Sequence, residues 1–220
     1  MTTTLRPLIT KGRLATLIVV AILLIDQAIK ILVKTSMMLH ESIHVTDWFY
    51  ITFIENNGMA FGMQLGSKIV LSLFRFFAIA ALIYYIWLEV RRHARTGYII
   101  CLAMVLAGAA GNLIDCLFYG LVFSGSSPYY VSYIVPFGSG YAPFLMGKVV
   151  DMFYFPLIET EWPLWMPFVG GQHFVFFSPV FNFADASISV SVVLLLLFYR
   201  EEISRISLSR HADNQEDIKS

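Results

Sequence analysis

Charged residues are scarce in this chain of 220 residues: they make up 14% of it, and fifteen basic side chains balance fifteen acidic ones. A soluble domain carries about a quarter charged residues. Hydrophobic residues make up 58%. This balance excludes an ordinary soluble domain and indicates an integral membrane protein. Because the net charge is zero, bulk attraction to nucleic acid has no support, and we expect no nucleic-acid partner.

Cysteine is also rare. Cys101 and Cys116 stand 15 positions apart, in or beside one apolar segment. On a helix this spacing corresponds to roughly 22 Å, which is too far for a disulfide bond. The chain contains no CxxC pattern, and its five histidines form no HExxH pattern. The sequence therefore carries no strong metal or redox signal.

Four segments are apolar enough and long enough to cross a bilayer, which takes about 20 residues. They lie near 14–34, 69–89, 98–119 and 180–200. No small-residue cleavage site follows the first apolar run, so we do not interpret it as a removable signal peptide. The sequence predicts one membrane domain over 1–206, followed by a polar tail over 207–220.

Short basic clusters predict the orientation of these spans, because cytoplasmic loops are enriched in lysine and arginine. With four spans, all three clusters fall on one side of the membrane. They are Arg6, Lys11 and Arg13; Arg91, Arg92 and Arg95; and Arg200, Arg205 and Arg210. We expect that side, with both termini, to be cytoplasmic, and segments 35–68 and 120–179 to lie outside. Segment 120–147 is rich in Gly, Ser, Pro and Tyr, which predicts a loop with short extended pieces.

Polar side chains interrupt the spans at their outer ends. Intramembrane ionisable residues are rare and usually face the interior of a helix bundle, so each is a functional hypothesis. Three pairs have the spacing of one helix face: Asp26–Lys30 at i, i+4, and Asn112–Asp115 and Asn182–Asp185 at i, i+3. In the expected topology all three pairs lie at one depth, where they would share a cavity.

Structural roles are the alternative for several of these residues. Asp26 and Lys30 would then form an internal ion pair that ties the first span to the bundle. Asn112 and Asp115 would hold helices together by hydrogen bonds, and Arg75 would be a counter-charge within the second span.

Two aspartates offer hydrolytic chemistry if they meet. Asp151 lies between apolar neighbours in "GKVVDMFYF", and Asp185 stands at the head of the last apolar run. Two carboxyl groups within a few ångströms cannot both ionise cheaply, so one holds a proton. The ionised group then takes a proton from water while the protonated group polarises a carbonyl. This is the arrangement of an aspartic peptidase.

Five motifs carry a resemblance to a known family, the lipoprotein signal peptidases (signal peptidase II), which are membrane aspartic peptidases of bacteria. The match runs in order along nearly the whole chain. The motifs are "DQAIK" (26–30), "NNGMAFG" (56–62), "GAAGNLID" (108–115), "VVDMF" (149–153) and "FNFAD" (181–185).

The resemblance assigns roles by position. It makes Asp151 and Asp185 the catalytic pair. Seven further residues are expected to bind substrate or to support the site, either through the resemblance or through our own reasoning. They are Asn56, Asn112, Asp115, Asn182, Asp26, Lys30 and Arg75.

The resemblance also implies a substrate and a fold. The substrate is a prolipoprotein that carries a diacylglyceryl group on its cysteine, and cleavage falls just before that cysteine. The fold is all-α and membrane-integral, with four transmembrane helices, a small extracytoplasmic β-sheet cradle and a short interfacial helix. We expect a monomer in the bacterial cytoplasmic membrane, in contact with lipid and sensitive to globomycin-type cyclic peptides. The active site would face the outer leaflet, with no metal or organic cofactor.

The chain departs from the family pattern in two places. Cys116 stands where the family usually has an arginine, and we hypothesise that Arg75 replaces that cation. The connection between Asp115 and Asp151 is longer than usual, and segment 120–147 is interpreted as either a mobile lip or a static packing loop.

Competing classes of function make different predictions. A small transporter or channel subunit would spread polar residues through the whole bilayer depth. A structural membrane subunit would tolerate Asp→Asn changes at positions 151 and 185. A serine–lysine peptidase would use Lys148 with Ser178 or Ser187, but no serine motif supports it.

Overall fold

The computed structural model describes residues 9–57 and 68–204. Long helices dominate it. They are α1 (Lys11–Ser36), α2 (Lys68–Arg91), α3 (Thr96–Ile114) and α5 (Phe183–Phe198), with a short turn of helix, α4 (Gly120–Val122), in between. A π-helical turn over Asp115–Tyr119 joins α3 to α4 without a break. The helix that starts at Thr96 therefore runs to Val122.

Three helices are long and apolar enough to cross a membrane: α1, α2 and the continuous helix Thr96–Val122. They lie where the first three spans are predicted. The predicted fourth span, 180–200, begins before the helix does, because Val180–Phe181 form a strand and Asn182 caps the helix. With 16 residues, α5 falls short of the usual length of a span.

Close packing on α3 explains how the bundle assembles. A Cβ atom on Gly108 would lie 2.4 Å from the carbonyl oxygen of Ala184, and one on Gly111 would lie 2.7 Å from Oδ2 of Asp26. Small residues at such positions let helix backbones approach closely in a membrane. The start of α5 and the side chain of Asp26 therefore rest directly on α3.

Two apolar clusters fill the interior at different heights. The first lies among α1, α2, α3 and α5 and includes Ala15, Ile86, Tyr98, Leu102 and Leu195. The second joins the end of α1 and the π turn to the strands and includes Val33, Met37, Phe53, Tyr119, Val150 and Met152. Asp26, Lys30 and Asp115 are buried at positions between the two clusters, along α1 and the continuous helix Thr96–Val122.

Six strands form two antiparallel sheets in the described ranges. One sheet has the order β1 (Ser42–Thr46), β2 (Phe49–Asn56), β3 (Val149–Tyr154) and β6 (Val180–Phe181). The other is a hairpin of β4 (Ile158–Glu161) and β5 (His173–Phe176). The small β-sheet that was predicted beside the helices is thus present. Segments 37–57 and 123–179 contain no short helix, while residues 58–67, which hold most of the "NNGMAFG" motif, lie outside the described part.

After the helical turn Gly120–Val122, the segment up to residue 147 is a loop with isolated extended pairs, Phe123 with Ile134 and Ser127 with Tyr130. The sequence predicted this character. The polar tail over 207–220 lies outside the described residues.

Candidate active site

Strand β3 places Asp151 at the centre of the four-stranded sheet. Asp151 pairs with Ile54 on β2, and Asn56 lies two residues further along β2. Because residues i and i+2 of a strand face the same side, Asn56 and Asp151 share one face. Nδ2 of Asn56 donates a hydrogen bond to Oδ2 of Asp151 at 3.3 Å.

The start of α5 brings the second aspartate to the same place. Asn182 is the N-cap: its side chain accepts a hydrogen bond from the backbone N–H of Asp185 at 2.9 Å, and Asp185 accepts one from the backbone N–H of Asn182 at 3.4 Å. This reciprocal capping box fixes the Asp185 side chain. Nδ2 of Asn182 also donates to Oδ1 of Asp151 at 2.7 Å. One asparagine therefore contacts both aspartates.

Asn112 on α3 completes the connection. Its Nδ2 donates to Oδ1 of Asp185 at 2.7 Å, and its Oδ1 accepts from Nδ2 of Asn182 at 3.0 Å. The same Oδ1 accepts from Nζ of Lys30 at 2.8 Å. A chain of side-chain hydrogen bonds thus runs from a buried ammonium to Asp185.

Lys30 lies in a buried cluster of charges. Its Nζ is 2.9 Å from Oδ2 of Asp26 and 2.8 Å from Oδ2 of Asp115, and both Lys30 and Asp115 are 0% exposed. A buried ion is tolerated only when opposite charges and hydrogen bonds replace its water. The two carboxylates and Asn112 supply that replacement.

The carboxylates of Asp26 and Asp115 also accept hydrogen bonds from the backbone next to Asp185 and Asp151. Oδ1 of Asp26 accepts the N–H of Ala184 at 3.0 Å, one residue before Asp185. Oδ2 of Asp115 accepts the N–H of Val150 at 3.4 Å, one residue before Asp151. The cluster around Lys30 therefore contacts the backbone directly before each of the two aspartates, Asp151 and Asp185.

Asp151 and Asp185 have different surroundings. Asp151 is 3% exposed, whereas Asp185 is half-buried at a helix N-terminus, where the helix dipole favours an anion. Burial, followed by the negative charge of Asp185, raises the pKa of the Asp151 carboxyl from its ordinary value of 3.8 to about 7. The hydrogen bonds from Asn56 and Asn182 oppose this rise. Asp151 is therefore readily protonated near neutral pH.

A cavity of about 320 Å³ opens beside Asp185, among α2, α3 and α5. Its polar lining consists of Arg75, Asn112 and Asp185, and its remaining walls are apolar, among them Ile79 and Leu82. Nη1 of Arg75 donates a hydrogen bond to Sγ of Cys116 at 3.4 Å. The guanidinium therefore lies beside position 116, where the sequence led us to expect a replaced cation.

All nine predicted site residues contribute to this region: the aspartates and asparagines bond to one another, Asp26, Lys30 and Asp115 support them, and Arg75 lies at the cavity. Gln27 was not assigned a role from the sequence. Its Nε2 donates to Oδ1 of Asp115 at 2.9 Å, and its Oε1 accepts from the hydroxyl of Tyr119 at 3.1 Å. A glutamine beside the aspartate of "DQAIK" was the available signal.

Two of the three residues considered for a serine–lysine pair are engaged elsewhere. Lys148 pairs with Glu55 at 3.1 Å, and the hydroxyl of Ser187 donates to the carbonyl of Met104 at 3.1 Å. Cys101 and Cys116 are both free thiols. Across residues 9–57 and 68–204, no group of three or more histidine, cysteine or acidic residues is placed to hold a metal ion.

A family model described as signal peptidase (SPase) II matches residues 18–200. The chain belongs to the signal peptidase II family, and it is therefore a multi-pass membrane protease. The lipoprotein signal peptidase of Porphyromonas gingivalis is 49% identical over 195 residues, which cover 88% of this chain and 86% of that protein. The lipoprotein signal peptidase of Amoebophilus asiaticus is 32% identical over 188 residues, covering 82% and 75%.

A solved structure shares the fold. It is a bacterial membrane enzyme structure obtained by the in meso method, with a TM-score of 0.57 and 23% identity. The alignment covers 87% of this chain and 90% of the other.

Replacing Lys30 with methionine is expected to destabilise the protein strongly. The change leaves Asp26 and Asp115 buried without their cation, a situation that typically costs about 3–5 kcal/mol. Thermal unfolding in detergent measures the loss. Arg92→Met is the control, because the pair between Arg92 and Glu89 is exposed on the arginine side and such pairs contribute about 0–1 kcal/mol. Equal losses in the two variants would contradict the central role of Lys30.

Proposed function

We propose that this protein is an aspartic endopeptidase that removes the signal peptide from diacylglyceryl-modified prolipoproteins, cutting before the lipidated cysteine. One observation carries the proposal: Asn182 contacts both Asp151 and Asp185, and the second of these lines a cavity with mostly apolar walls. Such a cavity suits a substrate held in the membrane by acyl chains. Membership of the signal peptidase II family supports the substrate class.

In the proposed first step, Asp185 is ionised and Asp151 carries a proton. Asp185 takes a proton from a water molecule as the water oxygen attacks the scissile carbonyl carbon. Asp151 gives its proton to the carbonyl oxygen as the C=O π bond breaks. The product is a neutral gem-diol, with Asp185 now protonated and Asp151 ionised.

In the second step, Asp185 returns its proton to the amide nitrogen while the C–N bond breaks. Asp151 recovers a proton from one diol hydroxyl as the new carboxyl group forms. The sum is one peptide bond and one water converted to an acid and an amine, and both aspartates regain their starting states. Asn182 and Asn112 keep the carboxyl groups oriented throughout.

The proposal includes four membrane crossings in the bacterial inner membrane, with α5 as a short fourth span. The basic residues at the ends of α1, α2 and α5 favour cytoplasmic termini. The site then faces the outer leaflet, where lipid-anchored substrates arrive laterally. Globomycin-type peptides are expected to compete for the same cavity, and a single chain is expected to suffice.

A transporter or channel role has less support. The polar side chains collect at the sheet end of the bundle, while the opposite half holds the apolar cluster around Ile86, Leu102 and Leu195. A path for ions would need polar groups through both halves.

Removing either carboxylate is expected to abolish cleavage. Asp151→Asn and Asp185→Asn each remove the acid or the base, a loss of at least roughly a hundredfold in rate. The measurement is the gel shift on loss of the signal peptide, using purified protein and a diacylglyceryl-modified prolipoprotein. Asp47→Asn is the matched control, because Asp47 lies fully exposed in the turn between β1 and β2. Turnover that survives in either site variant would exclude the two-aspartate mechanism.

The cleavage rate is expected to fall as the pH rises through about 7. The proposed acid, Asp151, must be protonated, and burial followed by the charge of Asp185 raises its pKa to about 7. Above that value kcat/KM should drop about tenfold per pH unit. A profile between pH 6 and 9 measures this, and a rate that stays constant over that range would be inconsistent with the assignment.

The pH dependence of thermal stability tests the raised pKa of Asp151. Between about pH 4 and 7, folded Asp151 holds a proton that the unfolded chain releases, so its contribution to stability falls as the pH rises. Asp151→Asn lacks this titration. The melting temperature of the variant minus that of the wild type should therefore increase between pH 5 and pH 8.

We also propose that Arg75 supplies the cation that the family has at position 116. The proximity of its guanidinium to Cys116 and its place beside Asp185 in the cavity lining support this role. There it would donate hydrogen bonds to a substrate carbonyl or ester oxygen.

Arg75→Leu is expected to lower kcat/KM about 10- to 100-fold, the usual worth of a hydrogen bond to a charged group. Adding Cys116→Arg to that variant should restore a large part of the activity, because the new guanidinium starts beside the old one. Wild-type turnover in Arg75→Leu alone would show that the arginine has no such role.

A further inference from the structure

A second buried charge cluster lies one helical turn beyond Lys30 on α1. Lys34 is 0% exposed and pairs with Glu55 on β2, which is 3% exposed. The hydroxyl of Ser126 donates to Oε1 of Glu55 at 2.7 Å and accepts from Nζ of Lys34 at 2.8 Å. Oε2 of Glu55 pairs with Lys148 at 3.1 Å. We call Lys34, Glu55, Ser126 and Lys148 the clamp.

The clamp joins four parts of the chain that are distant in sequence. Lys34 belongs to α1, Glu55 to β2, Ser126 to the segment 120–147, and Lys148 directly precedes β3. Tyr141, from the same segment, accepts the backbone N–H of Lys148 at 2.7 Å, and Nζ of Lys34 lies 5.0 Å from its ring centroid. Burial raises the pKa of Glu55, but the Lys34 charge, the hydrogen bonds from Lys34 and Ser126 and the Lys148 charge together outweigh burial, and the pKa lies below its ordinary value. Glu55 is therefore held as an anion.

Segment 120–147 is pressed onto the helix bundle as well. A Cβ atom on Gly140 would lie 2.1 Å from the carbonyl oxygen of Gly120, and one on Gly147 would lie 2.1 Å from that of Asp115. Only glycine fits such close backbone approaches. The N–H of Gly147 also donates to the carbonyl of Cys116 at 2.9 Å. These contacts describe a packed element rather than a free lip.

The clamp acts next to the aspartate of β3. Glu55 directly precedes Asn56, whose side chain donates to Asp151, and Glu55 itself pairs with Val150 across the strands. Holding Glu55 in place on the opposite face of the sheet therefore fixes the position of the next residue, Asn56, relative to Asp151. Misplacement of a supporting group by about 1 Å can cost up to a hundredfold in rate.

We propose that segment 120–147 is a positioning element for the peptidase reaction: through Ser126 and the buried Lys34–Glu55 pair it holds Asn56 against Asp151. This inference rests on the proposed peptidase function for its kinetic consequence. Its structural part, a coupling between Ser126 and Asn56 through Glu55, stands on the contacts alone.

The decisive variant is Ser126→Ala, which removes one hydroxyl from the clamp without changing any charge. We expect kcat to fall about tenfold with KM unchanged, because substrate contacts remain while Asp151 loses its aligned partner. Ser126→Thr keeps the hydroxyl and should restore kcat. Ser124→Ala is the matched control, because that hydroxyl bonds only within the same segment, to Ser132 and Tyr133, and should leave kcat unchanged.

A second background tests the route of the effect. If Ser126 acts through Asn56, then adding Ser126→Ala to Asn56→Ala should lower kcat no further. Additive losses, or an equal loss in Ser124→Ala, or a lower melting temperature with unchanged kcat, would overturn the proposal.

The two proposals fail in different ways. An absence of wild-type cleavage contradicts the peptidase function. In that case the coupling is read from thermal unfolding of the Ser126→Ala, Asn56→Ala and double variants. Additive shifts in melting temperature reject the clamp, and non-additive shifts support it.

Discussion

The ammonium of Lys30 is the charge on which the rest of the site depends. It lies without solvent contact between Asp26 and Asp115. Each of these two carboxylates also accepts a hydrogen bond from a backbone N–H beside Asp185 or Asp151, Asp26 with its other oxygen and Asp115 with the same oxygen that contacts Lys30. A charge of this kind is costly in a membrane protein unless its partners are held in place. The same bonds that make burial of Lys30 tolerable therefore join α1, α3, β3 and α5 at one height.

Around this cluster the molecule is organised in layers. An apolar layer of helix contacts lies on one side, and a second apolar layer beneath the sheet lies on the other. The polar groups between them are mutually bonded, so neither Asp151 nor Asp185 relies on water alone for orientation. A low dielectric on both sides strengthens each of those bonds.

Helix periodicity was enough to predict much of this arrangement. The spacing of Asp26 and Lys30 indicated a shared face, and the apolar runs indicated three spans that the structure has. The start of α5 was misjudged because Val180 and Phe181 are apolar in a strand as well as in a helix, and only the pairing with β3 distinguishes the two. Asn182 and Asp185 were predicted as a pair, but their capping box was not recognised. Lys34 and Glu55 were missed because their contact spans 21 positions and two element types, which no local pattern reveals.

The brevity of α5 has a consequence for the geometry of the membrane. With 16 residues it extends roughly 24 Å, less than the hydrocarbon thickness of about 30 Å. As the fourth span of the proposed topology, a helix of this length would require a locally thinned bilayer around it. The apolar core of a signal peptide, at 7–15 residues, is similarly short. In that topology the protease and its class of substrate would have hydrophobic mismatch of the same sign, and both would gather in the same thinned patch of membrane.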